Sequence, residues 1–259
     1  MEQEKKKINI KFNVLAINCI IVFCFAISPK TLQNDTFYTI RIGELIVNNG
    51  IDMQDHFSWH EGLPYTYPHW AYDVGIYGIY HLGEMTGLPD GGMLFIYIST
   101  VIFSCILGIT IYAANNKLTK NKLVSFFITL AAMYLLKDFI AARAQLVTFI
   151  LFALTIIFIE DFLESKKKRY LIGLVLISII IANLHVAVWP FFFVLFLPYV
   201  AEYIIAAIAE KNIIQKFIVL NKKSIVKNLE KKLEKVTDEV KRELIKNKLE
   251  KAKENVILS

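Results

Sequence analysis

Residues 34–70 read NDTFYTIRIGELIVNNGIDMQDHFSWHEGLPYTYPHW, a polar and aromatic insertion between the first two strongly apolar runs of the chain. On one side of it lies the run 11–28 and on the other the run 93–114. A spanning helix needs about 20 apolar residues, and six segments approach that length: 11–28, 93–114, 120–136, 144–163, 170–188 and 190–209. The third is the shortest, since its uncharged part starts only at Leu123 unless Lys120 and Lys122 snorkel at its end. With 56% hydrophobic residues and a mean hydropathy of +0.48, the chain is more apolar than an ordinary soluble domain. The expectation is an all-α membrane protein with about six transmembrane helices.

The net charge of +6 does not point to nucleic acid, because the lysines fall in short clusters beside the apolar runs. Lys5–Lys7 with Lys11, then Lys117, Lys120 and Lys122, then Lys166–Arg169, then Lys211 and Lys216 mark every second connection. Positive residues collect on the cytoplasmic side. Both termini are therefore expected in the cytoplasm, in a multi-pass protein of the cell membrane, and the loop 29–92 outside it. The turns around 137–145 and 185–190 fall on that outer side too. The charged start MEQEKKK resembles the opening of a signal peptide, but no small-residue cleavage pattern follows convincingly, so the first run is read as a retained span. Cys19, Cys24 and Cys105 lie inside apolar runs without metal spacing and read as small buried hydrophobes.

Within the outer loop, Asn34 or Asp35 can cap a helix carrying Phe37, Ile40, Ile42, Leu45 and Ile46, with Asn48, Asn49 and Gly50 as its stop. It is expected to lie in the membrane interface. Residues 51–68, rich in Pro, Gly and aromatics, are expected to be irregular but ordered. A second interfacial helix is expected from about His69 to Met85, with Trp70, Tyr72, Tyr77 and Tyr80 at the headgroup level. This makes residues 1–210 one transmembrane domain. Residues 211–259 are Lys/Glu-rich, and Ile225, Leu229, Leu233, Val236, Val240, Leu244 and Leu249 recur at helical spacing across 221–255. They read as a cytoplasmic helix or helical hairpin acting as a linker or tail.

Three sequence-distant polar groups are expected at the outer surface: Asp35, Arg143 and His185. A carboxylate just past a span is either a helix N-cap or a group that meets a lipid headgroup. A guanidinium at the start of a span either snorkels outwards or binds phosphate bidentately. The imidazole is either a packing residue or a partner of the other two. The loop adds Asp52, Asp55, His56, His60, Glu61, His69 and Trp70. Two of its side chains could hold a divalent cation, with Asp35 and His60 as candidates, although their spacing matches no tight metal motif. No P-loop, HExxH or Ser/His/Asp order is present.

The runs D-x-x-Y-x-I-x-x-G-E-L-I-x-x-x-G-I from Asp35, D-x-F-S-W-x-E-G-x-P-Y from Asp55 and H-W-x-Y-D-V from His69 resemble the first outer loop of bacterial GT-C-type membrane glycosyltransferases. These are relatives of the dolichyl-phosphate-mannose–protein mannosyltransferase group. The segments A-R-A-Q-L at 142–146 and N-L-H at 183–185 are similar to later landmarks of that group. The resemblance covers roughly residues 12–205. It implies a multispanning enzyme that uses a polyprenyl-phosphate-linked sugar, with Asp35 as base or metal ligand. His60, Glu61, His69, Trp70 and His185 would assist in substrate binding, and Arg143 is the position chosen for the carrier phosphate.

The chain departs from the group in carrying Asn34 before Asp35, with Glu44 as the next acid. It also resembles only the group's N-terminal half, so a second polypeptide supplying further transmembrane helices is an expected partner, beside membrane lipid. The rival expectation is a non-catalytic six-span scaffold or accessory subunit that binds a lipid-linked glycan or a partner protein. A transporter is less well supported, because Glu202 is the one charge at mid-span depth.

Overall fold

The computed structural model describes residues 2–29, 31–210, 224–234 and 239–257. Lys30, Lys211, Lys216 and Val236 of the sequence reading lie outside them. The described chain is all-helical, and its one β feature is an isolated antiparallel bridge between Gln54 and Pro64. Two compact units are present, residues 1–195 and 196–259.

The first unit contains α1 (Glu2–Ile27), α2 (Asn34–Asn49), α3 (Trp70–Glu84), α4 (Gly91–Thr119), α5 (Lys122–Leu135), α6 (Ala144–Ser165), α7 (Lys168–Leu184) and the short α8 (Trp189–Val194). Helix α4 is its spine, packing against α1, α3, α5 and α6. One core cluster joins Ala16, Ile20 and Cys24 of α1 to Leu107 and Tyr112 of α4, Met133 of α5, and Leu146 and Ile150 of α6. The side chains in it are apolar, so the faces that meet exclude water and the helices bundle. Gly108 allows the close crossing of α1 and α4, since a Cβ there would stand 2.8 Å from both Cys24 and Ile20.

A second, smaller cluster of Ile40, Tyr72, Ile76, Ile96, Ala142 and Ala144 ties α2 and α3 to α4 and to the start of α6. It positions the site described below. Helix α2 approaches α3 at Gly43, and α3 approaches the start of α4 where Gly83 meets Gly91.

Among the described residues three stretches are long and apolar enough to cross a membrane: Gly91–Thr119, Ala144–Ser165 and Val186–Ile208. The remaining apolar helices are shorter than the sequence reading expects of a span. Helix α5 has 14 residues, about 21 Å of helix against a hydrocarbon core of about 30 Å. Helix α7 has 17, about 26 Å, and the apolar part of α1, Lys11–Ile27, is also in the shorter class. The expected run 190–209 is not one regular helix either. A 3₁₀ turn (Val186–Val188) leads into α8, and α9 (Leu197–Glu210) starts after a break. Pro190 and Pro198 each sit in a first helical turn, where the missing N–H costs nothing and a preceding helix is interrupted.

The α4–α5 connection turns at Lys120, which is left-handed at φ 54°. Asn121 then caps α5, its side chain accepting from the N–H groups of Leu123 (3.1 Å) and Val124 (3.2 Å). Asn121→Ala is expected to destabilise by about 0.5–2 kcal/mol, the cost of losing a side-chain N-cap. Thermal unfolding in detergent reads this as a lower midpoint. At the same end of the bundle, Lys117 of α4 pairs with Asp161 and Glu164 of α6.

The second unit holds α9, α10 (224–234) and α11 (Glu239–Ile257). Lys253 Nζ lies 2.8 Å from Glu230, whereas 23 residues of straight helix would separate them by about 35 Å. Helices α10 and α11 therefore pack side by side, which selects the hairpin over the single long helix. Leu249 of α11 is buried.

Candidate functional site

Four helix ends meet around a cavity of about 200 Å³ lined by Asp35, Thr39, His69, Tyr72, Arg143, Ala144, Gln145 and His185. Asp35 stands in the first turn of α2, with Gln33 rather than Asn34 or Asp35 at the N-cap position. His69 is the N-cap residue of α3, Arg143 that of α6, and His185 the C-cap of α7. Three helix N-termini thus face one cavity. Their unpaired N–H groups and aligned dipoles favour an anion there.

The Arg143 guanidinium donates through Nη2 to Asp35 Oδ2 across 108 positions of sequence. Both side chains are substantially exposed, Arg143 at 41% and Asp35 at 63%. An exposed pair of this kind contributes only about 0–1 kcal/mol, so an incoming anion can compete for the guanidinium. Arg143 Nε is buried and lacks a hydrogen-bond partner among the described residues. Gln33 Oε1 and Thr36 Oγ1, at the start of α2, share that condition. Buried polar atoms are nearly always satisfied in folded proteins; of the four exceptions among the described residues, three stand at the starts of α2 and α6, and the fourth, Ser104 Oγ, lies in the middle of α4.

His69 is held by a different carboxylate. Its Nδ1 lies 2.7 and 2.8 Å from the two oxygens of Asp73, one helical turn on. Asp73 has no solvent exposure. Burial pushes its carboxyl above the usual carboxylate range, while the hydrogen bond and charge of His69 pull it back. The α7 end is tied to the same place from two directions. Trp70 Nε1 donates to Asn183 Oδ1 at 3.2 Å, and the Val186 N–H donates to the Pro68 carbonyl at 3.0 Å. Thr148 Oγ1 lies 3.4 Å from His185 Nδ1 and thereby links α6 to α7.

Of the residues singled out in the sequence, Asp35, Arg143, His185 and His69 line the cavity, and Trp70 braces it through Asn183. His60 and Glu61 do not line it. They sit at the tip of a hairpin-like loop closed by the Asp55 N–H to Leu63 carbonyl and Tyr65 N–H to Met53 carbonyl hydrogen bonds. At that tip Trp59 is 93% exposed, its ring tilted against that of His60. Asp52 and His56 belong to the base of this loop. His56 Nε2 lies 2.6 Å from Asp52, and the Tyr67 hydroxyl donates to the same carboxylate at 2.9 Å. The Gln54 N–H and His56 hold the Asp52 carboxyl below its usual range, and burial first, then Asp52, pushes the Tyr67 phenol up to about 12.

Among the described residues no group of three His, Cys, Asp or Glu side chains stands together as a metal site. Asp73, Thr39, Tyr72 and Gln145 join the site without having been singled out as site residues in the sequence, Tyr72 having been read there as a headgroup-level aromatic. For Asp73 the signal was available, since a His and an Asp four residues apart share one helix face. No family model, no curated protein and no solved structure matches this chain.

Proposed function

We propose that the chain is a membrane glycosyltransferase, or a module of one, that moves a sugar from a polyprenyl-phosphate-linked donor to an acceptor outside the cytoplasm. The observation that carries this reading is the meeting of Asp35 and Arg143 at one cavity where three helix N-termini and the C-terminus of α7 come together. A phosphate-linked sugar needs cationic groups at its phosphate and a carboxylate near its anomeric carbon. Arg143, with its unpartnered Nε, serves the phosphate. Asp35, released from Arg143 by that exchange, takes the proton of the attacking acceptor hydroxyl as the new C1–O bond forms. The cavity needs to enclose only the phosphate and the sugar, because the polyprenyl tail stays in the bilayer.

In this reading the apolar helices form a bundle of about six membrane crossings, with the shorter α5 and α7 tilted or shallow in a locally thinned bilayer. The lysine clusters put both ends of the chain in the cytoplasm, and α2 and α3 rest in the outer interface. A non-catalytic scaffold that binds lipid-linked glycan is the second reading. The direct Asp35–Arg143 pairing favours it, because a carboxylate oxygen engaged with the guanidinium is not free to accept the acceptor's proton.

The test is to incubate the purified full chain with labelled polyprenyl-phosphate sugars and measure saturable binding and transfer. Arg143→Ala is expected to weaken donor binding by about 10- to 100-fold, the loss of a charge-assisted hydrogen bond of roughly 1.5–3 kcal/mol. Undiminished binding by that variant would remove the phosphate from the Arg143 wall. Binding without transfer by the parent chain would select the scaffold.

A further inference from the structure

Asp73 cannot remain a bare carboxylate. It has no solvent exposure, and an unpaired buried charge is strongly disfavoured. His69 is its hydrogen-bonding partner, and the Asp73 N–H closes the first turn of α3 onto the His69 carbonyl at 3.0 Å. The pair is therefore at its most stable with no net charge, as imidazolium and carboxylate or as imidazole and carboxylic acid. In both forms Nδ1 is engaged with Asp73 and Nε2 carries a hydrogen. His69 lines the cavity, so Nε2–H is the donor it offers there. The other ionisable groups of the cavity are Asp35, Arg143, His185 and Tyr72, and Tyr65 lies within electrostatic range of Asp73.

Resting on the glycosyl-transfer reading above, we propose that His69, backed by Asp73, is the second phosphate contact of the cavity and meets the charge that appears as the carrier phosphate leaves. In the donor, the phosphate is a diester with one negative charge. As the sugar's C1–O(phosphate) bond breaks, its electron pair stays on the phosphate oxygen. The acceptor oxygen forms the new bond to C1, and the acceptor's proton goes to Asp35. The carrier is left as a monoester with two charges, of which one guanidinium balances only one. A donor fixed where the second charge develops binds the departing phosphate more tightly than the sugar-linked diester, which is the condition for accelerating the step. Asp73 acts through His69 and is a positioning residue.

The experiment compares the purified full chain's affinity for a short isoprenyl monophosphate with that for its methyl diester. It is done at about pH 8, above the second ionisation of a phosphate monoester near ~6. The parent chain is expected to prefer the monoester by about tenfold, roughly 1.4 kcal/mol. His69→Gln is expected to bring the ratio close to one. Asp73→Asn is expected to reduce the ratio and carries the test if His69→Gln does not fold, with circular dichroism and thermal melting reporting folding. His185→Gln is expected to weaken both ligands while keeping the ratio. A parent chain that binds both esters equally overturns the role of His69 and leaves the glycosyl-transfer reading standing. So does a ratio that survives in His69→Gln and Asp73→Asn, or one that collapses only in His185→Gln. A parent chain that binds neither ester overturns both.

Discussion

Asp35→Asn is expected to lower sugar transfer by about 10²- to 10⁴-fold, the usual contribution of a positioned general base, while donor binding holds or improves. Asparagine keeps the shape of the side chain and one oxygen that can accept from Arg143, but it cannot take up the acceptor's proton. Removing the negative charge also frees the guanidinium for the phosphate, since Asp35 is its partner across the cavity. The loss should therefore fall on kcat and not on KM. Initial rates with labelled donor, measured beside donor binding, separate the two. Transfer at the parent rate by Asp35→Asn would end the assignment of Asp35 as base. A loss of binding together with folding would assign the carboxylate a purely structural role.

Gly43→Ala is expected to have the largest effect on stability. A Cβ at Gly43 would stand 2.1 Å from the Asp73 carbonyl oxygen and 2.7 Å from both its carbonyl carbon and the Tyr77 Cβ. The obstacle is backbone, which cannot rotate away as a side-chain tip can, so α2 and α3 must separate. Overpacking of this kind costs about 1–3 kcal/mol and sometimes more. Because Asp73 is the residue struck, the displacement carries His69 away from Asp35. The expected outcome is a lower melting temperature together with loss of donor binding. At Gly75 and Gly78 of α3, an added Cβ would meet nothing within 4 Å, and alanine there gains about 0.5–1 kcal/mol of helix stability. Gly75→Ala and Gly78→Ala should hold or raise the melting temperature. If all three variants behave alike, the close α2–α3 approach is not what holds the site.

The helices were legible because an apolar run of sufficient length leaves few alternatives, and because Gly50 stops α2 where the Asn48–Gly50 signal puts it. Asp35, Arg143 and His185 could be associated from topology alone, each being polar at the end of an apolar run. Asp73 could not be found that way. It sits inside α3 among Trp70, Tyr72 and Val74, and only the packing of Gly43 against its carbonyl reveals how completely it is enclosed. The reverse holds for His60 and Glu61. Their polar and aromatic neighbourhood suggested a site, but the bridge between Gln54 and Pro64 turns them to the loop tip, and chain reversals depend on tertiary pairing that residue type does not report. The interruption of the last apolar stretch was written in Pro190 and Pro198, but hydropathy alone does not register a proline break.

The hydrogen bond from Trp70 to Asn183 joins residues 113 positions apart, and the Pro68–Val186 contact has a similar reach. During synthesis the first of each pair emerges well before the second, and at about 5–20 residues per second the interval is several seconds or longer. Through that interval α3 and the loop before it have no α7 to dock on, and the wall supplied by His185 does not exist. Assembly of the cavity is therefore a late event in the life of the chain, completed only when α7 has joined α6. A ribosome-bound chain stalled before residue 183 should leave the Trp70 indole N–H without its Asn183 partner.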